Sequence, residues 1–412
     1  MRSFPTFSNL TIFAFLLFFS CSQDETMDLE PPQKLEFTSF VPTIPIEDQY
    51  IVVFHEEKIS SRLIQTDVQS MDLSMRKEVV NLLSTYRISE DNIQRVYSSV
   101  LNGFCAKLDK DQLEKIKKDP LVKYVEQDRG GALGPLTESI AVKGNTDPVN
   151  TQIVPWGITR VGGPFTYKGK NSVFVVDTGI QLDHPDLNVC VEKAFDAYHP
   201  IDPKLCFVDE HGHGTHVAGT IGALDNFIGV VGVAAGVDLV PVKIFFGPFA
   251  QYSYSGMIAG IDHVGKVGIP GDVANLSFGG FDSSRALDDA VLNASESKKI
   301  WMVIASGNSN LPANSFSPAR VSGNFTITVS AIDALDRFAW FSHYGFPIKF
   351  AAPGVNVYST NIGGRYRYLS GTSMATPHVA GLRVLGEIGN DGFAINYPVT
   401  PPDPIAYRPK GK

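Results

Sequence analysis

From about residue 150 onward the chain alternates short, continuous apolar runs with stretches of helical spacing, and this restricts the fold more than any other feature. The runs Ser172–Val176, Val237–Phe246, Val273–Ser277, Ile300–Ala305 and Phe325–Val329 read as strands, and Gly214–Ala223, Ser255–Val264, Ala286–Ser297 and Ser373–Ile388 as helices. Strands with no polar face must be covered on both sides, which predicts an α/β fold with a mainly parallel sheet flanked by helices. Reactive residues in such sheets gather at strand C-terminal ends and at the helix N-termini that follow.

The preceding region has a different pattern. Tyr50–Phe54, Gln94–Ser98, Phe104–Leu108 and Leu121–Val125 read as strands, the second and third joined through Asn102-Gly103. Ser70–Tyr86 and Asp111–Lys118 have helical spacing. The order βαββαβ predicts a small ferredoxin-like α+β module over residues 48–128. Segments 22–47 and 129–150, with Pro31-Pro32 and Gly130-Gly131, read as linkers, the second cleavable. The main domain is placed at 151–390, followed by a Pro-rich tail at 391–412. Among 412 residues, 43 % are hydrophobic, too many for a disordered chain, and a net charge of −8 argues against nucleic acid as a partner.

Residues 1–21 read as an export signal. Arg2 precedes the apolar stretch Thr11–Phe19, which is too short to span a bilayer comfortably. Its ending Ser20-Cys21 resembles a bacterial lipoprotein site, so Cys21 is a candidate lipid anchor; ordinary signal cleavage is the other reading. Either places the protein outside the cell, secreted or on the surface. Export makes cysteines eligible for disulfides. Cys190 and Cys206 bracket a short loop and are a candidate pair, with two buried thiols as the alternative.

Three motifs fall at the expected ends: Val175-Val176-Asp177-Thr178-Gly179, His211-Gly212-His213-Gly214-Thr215-His216, and Ser370-Gly371-Thr372-Ser373-Met374-Ala375-Thr376-Pro377-His378. A buried carboxylate needs hydrogen-bonded company. A serine needs a base to become nucleophilic, and imidazole titrates near neutrality. A carboxylate then orients the imidazole and stabilises its charged form. A hydroxyl at a helix N-terminus lies beside unpaired N–H groups able to hold an oxyanion.

These motifs resemble those of the subtilisin-like serine proteases, and residues 50–126 resemble their inhibitory propeptide. The resemblance implies an autoprocessed, monomeric serine endopeptidase with Asp177, His213 and Ser373 as the triad, selecting His213 over its neighbours. It implies Asn308, in Ala305-Ser306-Gly307-Asn308, as the oxyanion amide. Substrate would bind as an extended strand along Ser277, Phe278, Gly279 and Gly307, with Phe278 either walling an apolar pocket or belonging to the core. It further implies one structural Ca²⁺ held by Gln152, Asp186 and Asn226 side chains and by the carbonyls of Leu224, Ile228 and Val230, a hard-cation oxygen set. A second family calcium site has Lys349 where a carboxylate is expected, which predicts an ammonium there. The activating cut is expected near Asn150-Thr151, and the propeptide is expected to act as an intramolecular inhibitor.

Other readings are weaker. A zinc hydrolase would want a carboxylate just before the last His, and position 215 is Thr. An aspartic protease would want a second Asp-Thr-Gly, absent from the sequence. A binding-only relative with a truncated C-terminus is the non-enzymatic alternative, since little chain follows the serine helix.

Overall fold

The computed structural model describes residues 43–63, 67–133, 151–199, 208–279 and 282–409. The targeting segment with Cys21, residues 22–42 and 134–150 of the two linkers, and Cys206 lie outside the described residues.

The first layer is built from β1 (Ile44–Phe54), α1 (Val68–Thr85), β2 (Ile93–Tyr97), β3 (Gly103–Lys107), α2 (Lys110–Ile116) and β4 (Val122–Ala132). This is the expected βαββαβ order, with antiparallel neighbours β4-β1-β3-β2. Asp67 caps α1, and Asp109 with Gln112 forms a capping box on α2. Val52, Phe54, Phe104, Met75, Val79 and Leu83 close a small core between sheet and helices.

The main domain follows as β5 (Val173–Asp177), β6 (Phe195–Asp196), α3 (His213–Gly222), β7 (Leu239–Lys243), β8 (Gln251–Ser253), α4 (Tyr254–Val267), β9 (Val273–Leu276), α5 (Arg285–Lys298), β10 (Trp301–Ala305), β11 (Thr326–Ile332), β12 (Ile348–Pro353), β13 (Val357–Asn361), β14 (Arg365–Leu369), α6 (Thr372–Leu385), β15 (Gly389–Phe393) and β16 (Pro404–Tyr407). Nine strands form one sheet in the order β15-β16-β12-β11-β10-β9-β5-β7-β6, parallel from β16 to β6. Two buried clusters lie against it. One includes Val175, Val217, Val303 and Val379; the other includes Phe174, Val242, Ile261, Ile304 and Leu287. Alternate residues of the same strands serve the two faces, the physical reason the strands read as continuously apolar.

Three segments depart from the linear reading. Residues 44–47, assigned to a linker, open β1. Gly130 and Gly131, read as linker, end β4, because they pair with β8 of the main domain at Tyr252↔Gly131 and Ser253↔Gly130. Tertiary pairing overrides their weak intrinsic preference. The Pro-rich tail contributes β16, in which Ile405 and Ala406 are fully buried and Ile405 pairs with Ala351 of β12. Pro404 opens that strand, where a missing N–H is tolerated. Asp403 beside it is buried and accepts a 2.6 Å bond from Ser330.

Candidate active site

Asp177 ends β5 with no exposed surface. Its Oδ1 accepts from the Thr178 amide at 2.7 Å, and its two oxygens lie 2.8 and 3.0 Å from His213 Nδ1. His213 opens α3, and Gly214 follows because the helix must press against the aspartate loop: a Cβ there would sit 2.1 Å from the Gly179 carbonyl. Burial pulls the His213 imidazole down, but the charge and hydrogen bond of Asp177, with Asp209 behind, outweigh it and leave its pKa raised. Its neighbours behave differently. Burial pushes His216 down to about 3, and its Nε2 lies 3.1 Å from the carbonyls of Val357 and Arg367. His378 is pushed down to about 4, with Nδ1 against the Met374 carbonyl. These two are neutral structural groups; His213 is placed to take a proton.

Two residues that the sequence reading did not single out brace this corner. Asp209 accepts five hydrogen bonds at 2.7–3.0 Å, from Thr178 Oγ1, the His211 and Gly212 amides, and the Thr215 amide and hydroxyl. It ties the aspartate loop to the first turn of α3. Lys243, at the end of β7 opposite Asp177, is 2 % exposed and donates to the carbonyls of Thr178 (2.7 Å) and Val208 (3.0 Å). An acid four positions before a His-Gly-Thr-His motif was the only linear sign of Asp209; Lys243 lies inside the apolar run Val237–Phe246 with no motif around it.

Ser373 sits in the first turn of α6. Its hydroxyl donates to the Ser277 carbonyl at 2.8 Å, and Ser277 Oγ donates back to the Ser373 carbonyl. Among the described residues no hydrogen bond joins Ser373 to His213. Asn308 Oδ1 accepts from the amide and hydroxyl of Thr372, both at 2.8 Å, which leaves its Nδ2 donor free to point toward the cleft. Gly307, with φ of 112°, carries the chain into that position.

Of the expected substrate contacts, Ser277 and Gly279 lie at the end of β9, whereas the Phe278 side chain is 2 % exposed and meets Phe245 edge-on in the core. The edge strand β8 was not anticipated. It carries β4 antiparallel along it, with Leu133 N donating to the Ala250 carbonyl at 3.2 Å. Acidic residues of β4 reach the starts of two helices: Asp128 accepts from Ser255 N of α4 and Glu126 from Ala286 N of α5, each at 3.0 Å. In return Asp262 of α4 accepts three amides, Ser98, Ser99 and Val100, from the β2–β3 turn.

The expected calcium residues come together. Asn226 Nδ2 donates to Asp186 Oδ1 at 2.8 Å, Val230 N donates to Oδ2 at 3.0 Å, Ile228 N donates to Asn226 Oδ1, and Gln152 Nε2 donates to the Leu224 carbonyl. Burial pushes Asp186 up to about 6, only partly offset by those donors and by Tyr366. The carboxylate is met here by N–H and O–H donors, and a hard cation would need the oxygens of the same residues in their place. No cluster of three or more His, Cys, Asp or Glu suited to a metal occurs among the described residues. Lys349 Nζ donates to the carbonyls of Gly323 (2.8 Å) and Thr326 (2.6 Å). Cys190 is half-buried, and its candidate partner lies outside the described residues.

The chain is similar to known proteins. The subtilase family model matches residues 169–386, and the peptidase inhibitor I9 model matches residues 49–130. M-protease of Shouchella clausii is 35 % identical over 84 % of this chain and 83 % of its own, and subtilisin Savinase of Lederbergia lenta is 44 % identical over 59 % and 87 %. A solved cold-adapted subtilisin-like serine proteinase is 34 % identical, covering 57 % of this chain and 85 % of its own, with a TM-score of 0.49. The chain therefore belongs to the subtilase family of serine proteases and carries an I9-type inhibitor domain in front of its catalytic domain.

Proposed function

We propose that this chain is an exported serine endopeptidase, made as a zymogen that cuts itself and stays inhibited by its own prodomain. The observation that carries the reading is the 2.8 Å bond between Asp177 and the ring nitrogen of His213, in a chain whose Ser373 opens a second helix with Asn308 bonded to the residue before it.

The Ser373 hydroxyl leaves the Ser277 carbonyl, gives its proton to His213 Nε2 and attacks the peptide carbonyl carbon. Asp177 holds the imidazole with Nε2 outward and stabilises its positive charge. The developing oxyanion is met by Asn308 Nδ2 and the Ser373 backbone N–H at the start of α6. His213 then protonates the departing amine, and water repeats the sequence on the acyl-enzyme. The substrate lies as an extended strand between β8 and Ser277–Gly279, with Phe278 contributing backbone rather than side chain. Family members commonly carry structural calcium; here Gln152, Asp186, Asn226 and the carbonyls of Leu224, Ile228 and Val230 would hold one ion, which supplies charge to the buried carboxylate.

The bond between Ser373 and the Ser277 carbonyl also favours a second reading, a binding-only protein with an idle serine. Expression from residue 22 followed by a fluorophosphonate probe separates the two. Labelling at Ser373, lost in Ser373→Ala and His213→Ala, is expected; a folded, unlabelled protein would leave only binding.

A further inference from the structure

Gly130 is paired on both sides. Ser253 of the catalytic domain faces it from one edge, and Ile44 of the prodomain faces it from the other. The strand that lies along the substrate edge is therefore itself flanked, through Ile44↔Gly130 and Pro45↔Arg129, by the first residues of β1. The Ile44 side chain does not explain the pairing, since it is 67 % exposed. A polar knot at its start does. Thr43, 3 % exposed, donates from its hydroxyl to Asp282 Oδ2. Arg129 donates from Nε to Thr43 Oγ1 (2.8 Å) and from Nη2 to the Thr43 carbonyl (2.7 Å) and to Asp282 Oδ2 (3.0 Å). Asp282 belongs to the catalytic domain, three residues beyond Gly279, and its carbonyl is held by Tyr254 OH at 2.9 Å.

We propose that residues 43–46 are a catch on the inhibitory strand, with Asp282 as its docking point on the catalytic domain, and that this catch sets how long the chain stays inhibited after the junction has been cut. The proposal rests on the reading of residues 129–133 as the inhibitory strand. Charge-assisted bonds that close a triangle between two segments of the prodomain and one of the protease are lost together when the extension is missing. The strand then depends on β8 alone along its outer stretch.

Chains starting at residue 22 and at residue 47 test this, with cutting of the junction followed by gel and activity followed on a chromogenic tetrapeptide anilide. Equal rates of cutting are expected, with activity appearing about tenfold sooner or more in the shorter chain. Both chains should reach the same final activity once the prodomain has been degraded. Equal lags at equal cutting overturn the catch. If the shorter chain does not fold, Arg129→Asp and Asp282→Arg alone must each shorten the lag, and the double swap must restore it; unchanged lags in the single variants overturn it equally. Full activity at the moment of cutting in the longer chain would refute prodomain inhibition itself, and the catch with it. Absence of fluorophosphonate labelling at Ser373 would separately refute the catalytic reading.

Discussion

The two halves of the catalytic centre are held very differently. On the imidazole side, Asp177, Asp209 and Lys243 are buried and account for at least nine hydrogen bonds and contacts that tie β5, the aspartate loop and α3 into one unit. On the serine side, the Ser373 hydroxyl makes one bond, to a backbone carbonyl. On the proposed mechanism the contrast teaches that the base is braced in advance, whereas the hydroxyl starts out bonded to the Ser277 carbonyl. Mutations should report the asymmetry.

The largest expected effect is on the braced side. Asp177→Asn keeps the shape but offers an amide N–H to a ring nitrogen that should itself donate, so kcat should fall by about 10⁴; a loss below tenfold would mean that Asp177 does not set the tautomer. On the serine side, Asn308→Ala removes one oxyanion donor and should lower kcat by about 10²–10³ with little change in KM. Asp209→Asn leaves five donors facing a group that accepts on one atom only. It should cost about tenfold in kcat, and an unchanged melting temperature and rate would show that the brace is ornamental.

Two smaller effects sharpen the comparison through pH. Because Asp177 holds His213 above its ordinary value, the neutral base appears only as pH rises through a pKa above 6.5, and kcat/KM should climb there. A profile already flat at pH 6 would refute it. Asp186 is the reverse of an ordinary paired carboxylate. Its folded pKa, about 6, lies above the unfolded value near 4. Without a cation it therefore favours the fold below pH 4, and this contribution is lost as pH rises through 6. In chelator the melting temperature should drop across that window; calcium at pH 7 should raise it by a few degrees, and Asp186→Asn should flatten both responses. Equal melting temperatures with and without calcium would remove the site.

Much of this was legible before any coordinates. Asp177, His213, Ser373 and Asn308 each follow a recognisable run or motif, and the βαββαβ order follows from changes of hydrophobic period within short windows. Asp209 and Lys243 were not legible, because their partners are loop amides and carbonyls that converge only when β5, β7 and α3 are packed. The strand character of Gly130-Gly131 was missed for the same reason: neither residue favours a strand until Ile44 and Ser253 stand on either side of it.

Local pattern thus determined most of the strands and helices, since periodicity acts over a few residues, and the motifs that resemble those of the subtilases supplied the candidate site residues. Packing alone decided the rest: that a Pro-rich tail becomes a sheet strand, that Phe278 turns into the core, and that the first residues of β1 close over the strand lying against β8. Those outcomes depend on hydrogen-bonding groups tens to hundreds of residues apart finding each other, and a linear sequence carries no local record of such encounters.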